Sequence, residues 1–206
     1  MEEANRQSAG PPATQGLRGM PAEQAPILEL LIKLDDAPAE PVWRRVLVAA
    51  DTRLDRFHDV IQAAMGWGDR REHLFTTAIG QVGEADPERD HRDGRDVTLA
   101  ELLAEPGDRL GYAYGAEHPW LHTVVLERLL VGDPSELYPT CLAGGGSCPP
   151  DGPDARWDFT ARRGPAARAG EGEELSEGPL APGAEPEGGF DLEQAREALA
   201  FFSAVP

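Results

Sequence analysis

The chain has 206 residues, a length that favours one domain with additional tails. It is acidic, with 37 Asp and Glu against 19 Lys and Arg and a formal net charge of -18. This charge repels phosphate backbones, so nucleic-acid binding would require the basic side chains to be gathered in one patch. The first ten residues are acidic and unlike a secretory signal, and no run approaches the roughly 18 apolar residues of a membrane-spanning helix. We therefore expect a cytoplasmic protein that does not contact a membrane.

The chain begins with residues 1–25, which are rich in Gly, Pro and Ala and show no hydrophobic periodicity. Such a composition predicts a disordered tail. The next segment, "ILELLIKL" (27–34), alternates between two faces and predicts a strand. A turn-forming segment separates it from "VWRRVLV" (42–48), which we predict to be a second strand, paired with the first as a hairpin.

An amphipathic helix is predicted after the hairpin. Apolar side chains recur at helical spacing through "LDRFHDVIQAAM" (54–65), and Asp51 or Thr52 is the expected N-cap. Gly66 is placed to end the helix in the left-handed conformation that glycine adopts at little cost. We expect the helix to pack on the first strand through Leu54, Phe57, Ile61 and Met65 against Leu28, Leu30 and Ile32.

Three further strands are predicted from "HLFTTAIG" (73–80), "RLGYAY" (109–114) and "LHTVVLERLLV" (121–131). The acidic segment 84–108 reads as a solvated connection with one short helix, whose Thr98 and Glu101 form a capping box. The segment "LAGGGSCPP" is Gly-rich but runs into prolines. It therefore predicts a tight covering turn and not a phosphate-binding loop.

These elements predict an α+β domain at residues 26–159, with a mostly antiparallel sheet of about five strands covered by helices. Residues 160–189 are of low complexity and predict a disordered linker. The last segment, 190–206, carries an apolar stripe in "FDLEQAREALAFF" and predicts a C-terminal helix with Asp191 as its N-cap.

Several segments carry a resemblance to a known family. "PVWRRVLV", "TRLDRFHDVIQAAMGW", "HLF", "WLHTVVLE", "YPTCLAGGGSCPP" and "FDLE" occur in the order found in plasmid pRiA4b ORF-3-like proteins. That family includes the TnpR passenger protein of a mycobacterial insertion element. The resemblance covers roughly residues 27–159 and the terminal helix, and it implies an α+β fold without implying a particular reaction.

The sequence departs from the family pattern in two places. A Tyr-Asp-Phe-Gly-Asp run usually precedes the Trp-x-His that matches Trp120 and His122, whereas residues 114–118 here read "YGAEH" and lack both aspartates. The acidic pair and Gly-Gly that usually follow the Cys-Pro-Pro are replaced by "DGPD" at 151–154. Any activity that used the two missing aspartates would be lost in this chain.

Histidines and cysteines are the candidate metal ligands, because imidazole and thiolate suit zinc. His58 lies on the apolar helix face and is expected to be a hydrogen-bonded core residue. The weak candidates are His73, His122, Cys141 and Cys148. The two cysteines are separated by six residues, a looser spacing than the C-x2–4-C of structural zinc sites. We therefore expect no metal and no cofactor.

A hydrolase could use His122 with Glu117 or Asp151, since a carboxylate orients an imidazole. The sequence contains no G-x-S-x-G and no H-E-x-x-H, however, so no catalytic residue is assigned.

A candidate binding surface is predicted from strand residues with large or charged side chains. Arg44 and Arg45 are adjacent on a strand and should face opposite sides, one against an aromatic ring and one in solvent. Residues 42–71 hold six arginines among four aspartates, which favours local ion pairs over a basic patch. The candidate surface consists of Trp43, Arg44, Arg45, His73, Trp120 and His122.

Together these observations predict a non-enzymatic accessory or protein-interaction domain of mobile-element ancestry, with a protein as its partner. Direct contact with nucleic acid is not expected, because the net charge opposes it. Two alternatives stay open. One is a nucleic-acid-associated accessory protein of a mobile element, and the other is a metal- or His-dependent hydrolase.

Overall fold

The computed structural model describes residues 26–35, 40–68, 71–86, 88, 91–116, 118–149 and 189–203. An eight-stranded sheet forms its centre. The predicted tail at 1–25 and almost all of the predicted linker at 160–189 lie outside the described residues. No described helix is long and apolar enough to cross a membrane.

The strands are joined into one sheet in the order β5-β4-β3-β6-β7-β1-β2-β8. Neighbours pair antiparallel except β4 and β5, which run parallel, so the sheet is mixed. The strands are β1 Pro26–Leu34, β2 Trp43–Ala49, β3 His73–Thr77, β4 Gly80–Gly83, β5 Arg92–Asp93, β6 Arg109–Tyr114, β7 Trp120–Val131 and β8 Thr140–Gly145.

Helices are few in the described part of the chain. The two longer ones are α1 at Leu54–Met65 and α3 at Leu192–Ser203, and α2 spans only Leu99–Leu102. A single 3-10 turn precedes α2 at Gly94–Asp96. In α3, the Asp191 carboxylate accepts a hydrogen bond from the amide of Gln194 at 3.0 Å, as expected of an N-cap.

The predicted fold, a mostly antiparallel five-stranded sheet covered by helices, is wrong. The protein is largely β, with an eight-stranded mixed sheet and few helices. The prediction missed β4, β5 and β8, which are short or glycine-rich. Such strands have no periodic pattern of their own, and they exist because a neighbouring strand pairs with them.

Strand β8 shows why a glycine-rich segment can be a strand. A Cβ atom on Gly144 would lie 2.6 Å from the ring of Phe190, and one on Gly145 would lie 2.6 Å from the indole of Trp43. Two bulky side chains therefore pack directly on the β8 backbone. The glycines make room for this packing, and the predicted covering turn is instead an edge strand paired with β2.

Helix α1 begins with main-chain contacts and not with the predicted caps. Arg53 occupies the N-cap position without a side-chain hydrogen bond, so Asp51 and Thr52 are not caps. The first helical amide, that of Leu54, donates instead to the carbonyl of Val97 at 2.9 Å. The other end follows the prediction, since Gly66 has a φ of 75° and ends the helix. The capping box is also confirmed, with Glu101 accepting from the Thr98 amide at 3.2 Å.

The hydrophobic core lies on one face of the sheet, which we call the inner face. Side chains of α1 pack there against β1, as predicted, and Ala195 and Leu199 of α3 join the same core. Phe57 is completely buried and stacks on Phe75 of β3 with ring centroids 6.1 Å apart. The predicted members that are buried in this core are Leu54, Phe57, Ile61 and Met65 with Leu28, Leu30 and Ile32.

Substitution Phe57→Ala should lower the free energy of unfolding by about 3–5 kcal/mol, because it empties a fully buried aromatic site. Arg56→Ala is the matched control on the same helix. Its side chain is half exposed and forms a surface ion pair with Asp59 at 3.6 Å. Removing such a pair should lower the free energy of unfolding by less than about 1 kcal/mol. Urea denaturation measures both variants, and equal losses would contradict the placement of Phe57.

Candidate functional site

Arg44 and Arg45 point to opposite faces of β2, as the alternation of a strand requires. Arg44 enters the inner face, and Arg45 lies on the other face, which we call the outer face. Only 3% of Arg44 and 6% of Arg45 is exposed. The prediction that one arginine faces solvent is therefore wrong, because each guanidinium has a set of internal partners.

All five N–H groups of the Arg44 guanidinium have an acceptor. The guanidinium also lies 4.1 Å from the ring centroid of Phe190, just before α3. Its partners therefore belong to β2, β8, α1 and the segment after β8. The acceptors are the carbonyl oxygens of Ala64 at 2.9 Å, Trp43 at 2.7 Å, Gly145 at 2.8 Å and Gly146 at 3.3 Å, and the Sγ of Cys148 at 3.0 Å.

The position of Arg44 follows from the end of α1. Ala64 is in the last turn of that helix, where carbonyl oxygens have no intrahelical partner and carry the negative end of the helix dipole. Burial lowers the pKa of Arg44 from its usual value. Within the described part of the chain no carboxylate pairs with Arg44, so main-chain dipoles and a sulfur atom stabilise its charge.

Arg45 is held by carboxylates on the outer face. Its guanidinium forms two hydrogen bonds with Glu127, at 2.6 and 3.0 Å, and lies 3.5 Å from Glu29. Glu29 is buried and also pairs with Arg128 at 2.5 Å. The hydrogen bond to Glu127 raises the pKa of Arg45. Arg45 also lies 5.5 Å from the ring of Trp43, so the outer face carries a closed network of two arginines and two glutamates beside one indole.

A polar cluster is built on the inner face between α1 and β6. The Tyr112 hydroxyl is 2.8 Å from Nδ1 of His58 and accepts a hydrogen bond from Nε2 of Gln62 at 2.9 Å. While it accepts from Gln62, the hydroxyl can donate its one proton to Nδ1 of His58 when that nitrogen is unprotonated. His58 is thus a buried, hydrogen-bonded core residue, as predicted.

His73 and His122 lie on either side of β6. The His73 ring stacks on His58 with a centroid distance of 3.7 Å and an interplanar angle of 9°. His122 is opposite Tyr112 in the β6–β7 register, and its Nδ1 is 3.3 Å from the Tyr112 carbonyl. Tyr112 therefore stands between the two histidines, 6.2 Å from His73 and 5.2 Å from His122 between ring centroids.

Burial lowers the pKa of both strand histidines. The pKa of His73 lies below its usual value although nearby carboxylates oppose the effect, and that of His122 falls to about 4. Among the described residues, the Nε2 of His122, the Nδ1 of His73 and the Oε1 of Gln62 are buried without a hydrogen-bond partner. The cluster thus contains two histidines whose protonation burial opposes and three buried polar atoms without a partner.

Aromatic rings close the cluster at the C-terminal end of α1. Trp67 stacks on Tyr114 at 5.3 Å and on Trp120 at 6.4 Å, and its edge meets His122 at 5.5 Å. The Trp67 indole donates to the carbonyl of Pro149 at 2.9 Å. This end of α1 is therefore sealed by aromatic packing and by the segment that follows β8.

The four weak metal candidates do not form a metal centre. In the described ranges no three His, Cys, Asp or Glu side chains come close enough to hold an ion. Cys141 is fully buried beside Val46, and burial raises its pKa to about 11. Cys148 contacts Arg44 and the Sδ of Met65, and burial raises its pKa as well. Both thiols are therefore packing groups at neutral pH.

The six side chains of the candidate surface lie in separate places. Trp43 and Arg45 are on the outer face, Arg44 is in the inner core, and the other three belong to the polar and aromatic cluster around Tyr112. The hydrolase alternative paired His122 with Glu117 or Asp151, and both carboxylates lie outside the described residues.

Sequence reasoning missed Gln62, Trp67 and Tyr112 as members of the cluster. One signal was available, because Gln62 follows His58 by four residues and so shares its helix face. A tyrosine at an inward strand position also requires a partner for its hydroxyl. Only the tertiary fold shows that the Tyr112 hydroxyl finds its partners in His58 and Gln62.

Substitution Arg44→Met should lower the free energy of unfolding by at least about 3 kcal/mol, because several buried carbonyl groups lose their donor. Arg53→Met is the control, since Arg53 forms an ion pair with Asp55 and its side chain is 47% exposed. Its expected loss is below about 1 kcal/mol. Chemical denaturation distinguishes the two, and a loss for Arg44→Met as small as for the control would contradict the internal role.

The low pKa of His122 predicts an acid-dependent loss of stability. The folded protein holds the pKa at about 4, whereas an unfolded chain returns it to the usual 6.5. This contribution is complete above pH 6.5 and is lost as the pH falls toward 4, to a total of about 3 kcal/mol. His122→Gln keeps an N–H for the Tyr112 carbonyl and does not titrate, so its unfolding free energy should fall less over that range. If the unfolding free energies of the unmodified protein and of His122→Gln fall equally with pH, this role of His122 is contradicted.

Comparison with known proteins places the fold and the chain in context. The structure is similar to the crystal structure of a protein of unknown function, MM3350 from Methanosarcina mazei Go1, with a TM-score of 0.58 and 23% identity over 66% of this chain and 79% of that one. At this identity the likeness concerns the fold alone. The chain is also 33% identical over 141 residues to the uncharacterized protein y4hQ of Sinorhizobium fredii, covering 66% of this chain and 70% of the relative.

A family model described as plasmid pRiA4b ORF-3-like protein matches residues 26–163, which include all eight strands. This match covers well over half of the chain. The protein therefore belongs to the plasmid pRiA4b ORF-3-like family.

Proposed function

We propose that this protein is a non-enzymatic accessory domain of mobile-element ancestry that acts in the cytoplasm by binding a partner protein. The contact surface is the outer face of the sheet, and the partner is a basic protein. The observation that carries the proposal is the uneven covering of the sheet: the described helices join the inner core, while the outer face has none of them and exposes apolar side chains.

The outer face combines apolar and paired charged groups. Leu121 of β7 is 41% exposed, and Leu31 and Val125 face each other across β1 and β7 with partial exposure. The ion pairs of Arg45 lie beside them. Apolar patches with a polar surround are typical of protein interfaces, where leucine and valine exclude water and paired charges fix the orientation.

The charge of the chain determines the class of partner. A formal net charge of -18 attracts basic proteins at long range and repels acidic ones. Within the outer face itself, two arginines and two glutamates neutralise one another. Long-range steering therefore comes from the rest of the acidic surface, and close contact is made by a nearly neutral apolar face.

The same geometry disfavours both alternative functions. Nucleic-acid binding requires exposed cations, but Arg44 uses its five donors internally and Arg45 is paired with two carboxylates. A His-dependent hydrolase requires an imidazole that substrate can reach, but His58 and His122 are buried. The mobile-element ancestry is supported by the plasmid reading frame that gives the family its description.

Photo-crosslinking from the outer face tests this proposal. A benzophenone amino acid replaces Leu121 in one protein and Ile79 in another, because both side chains are 41% exposed and Ile79 lies in the β3–β4 turn. We expect a discrete adduct with a basic protein from position 121 and none from position 79. An adduct by itself does not establish specific binding, so the captured protein is then purified.

The affinity of that purified partner is measured for the chain without the benzophenone amino acid and for two matched variants. Leu121→Asp should weaken binding at least about tenfold, because it places a charge in an apolar contact, and Ile79→Asp should leave the affinity unchanged. Added salt should lower the association rate. Equal adducts at both positions, an affinity insensitive to Leu121→Asp, or an adduct with nucleic acid would each overturn the proposal.

A further inference from the structure

We propose that the stacked pair of His58 and His73 is an acid-sensitive latch that fastens α1 to the β3 side of the sheet. His58 belongs to α1 and His73 to β3, so the stack joins the helix to a strand that is four places from β2 in the sheet order. The proposal is independent of the outer face and of any binding partner.

The geometry requires that at least one ring be neutral. The ring centroids are 3.7 Å apart at 9°, closer than the 4.5–7 Å of ordinary aromatic pairs. Two imidazolium ions at this distance repel strongly, and burial weakens the screening by water. The stack therefore forms when the imidazoles are uncharged and is lost when protons bind.

The hydrogen bonds of the polar cluster select the same state. Gln62 donates to the Tyr112 hydroxyl, which leaves the hydroxyl proton for Nδ1 of His58. A proton on that nitrogen turns it from an acceptor into a donor, so the hydroxyl proton loses this acceptor and must turn away from His58. Acid thus disturbs the stack and the hydrogen-bond chain together.

Charged groups around the pair come from several elements. Asp55 and Asp59 act on His73 from α1, and Glu84 acts on it from the end of β4, while the backbone of Arg71 also favours the charged ring. From β6 the neighbours are the uncharged rings of Tyr112 and Tyr114. The carboxylates attract a proton to His73, but burial outweighs them and lowers its pKa.

The half-buried position of His73 gives protons access to the latch. When the latch opens, the strands most affected are β3, β4 and β5, which lie on the far side of β6 from β7. β4 has four residues and β5 only two, and they form the edge of the sheet. Short edge strands have little pairing of their own, so contacts from α1 contribute much of their stability.

Hydrogen–deuterium exchange of the full chain at pH 7 and pH 5 tests the latch, with rates corrected for the intrinsic effect of pH. The expected result is a several-fold increase in the opening of β3 and β4 at pH 5, because protonation of the stacked rings breaks their contact. Amides of β1 serve as the internal reference and should change much less. The variant His73→Phe replaces one titrating ring with a flat apolar ring and leaves only His58 to titrate, so the pH response of its β3 exchange should be much smaller.

His122→Gln is the matched control, because it removes the other strand histidine of the cluster and should retain the local response of β3. Equal loss of protection in β1 and β3 would overturn the latch, and so would an unchanged pH response in His73→Phe. If that variant does not fold, an NMR titration of the unmodified protein decides. The His73 ring and the β3 amides must then titrate with one midpoint, and separate midpoints refute the coupling.

Discussion

The burial of the Arg44 guanidinium is the constraint on which the arrangement of the other elements depends. Its charge lies in the core beside main-chain carbonyls and a thiol, so every N–H must have an acceptor for the fold to be stable. Those acceptors come from α1, β2, β8 and the segment after β8. One side chain thereby fixes the C-terminal end of the helix against the edge of the sheet and provides a flat cation for Phe190 to cover.

This constraint explains the glycines of β8. Gly144 pairs with Arg44, and a Cβ there would lie 2.9 Å from the Arg44 Cδ and closer still to Phe190. The next glycine accommodates the indole of Trp43 in the same way. The Trp-Arg pair of β2 and the glycine run a hundred residues later are thus two halves of one packing arrangement. This correspondence gives the Gly-rich segment a structural role in packing.

The parts of the fold that could be predicted are those with a local cause. β1, β2, α1 and the capping box of Thr98 and Glu101 each follow from periodicity or from contacts within a few residues. β4, β5 and β8 could not be predicted, because pairing across the sheet creates them. The candidate site divides in the same way. A polar core role for His58 follows from its helix face, whereas its stacking on His73 and its link to Tyr112 depend on strands that meet only in the tertiary structure.

Most of the residues that the sequence suggests as catalytic, binding or metal-ligating groups therefore have structural roles. The two arginines of β2 hold elements together, burial lowers the pKa of His73 and His122, and the thiols are packed beside Val46 and Met65. A buried charged or titratable group needs partners, and those partners occupy the atoms that a substrate would otherwise contact. Under the proposed function, recognition is left to side chains that the core leaves exposed, and Leu121 of the outer face is one of them. An apolar residue of this kind carries no sequence motif, which is why the proposed contact surface could be located only through the fold.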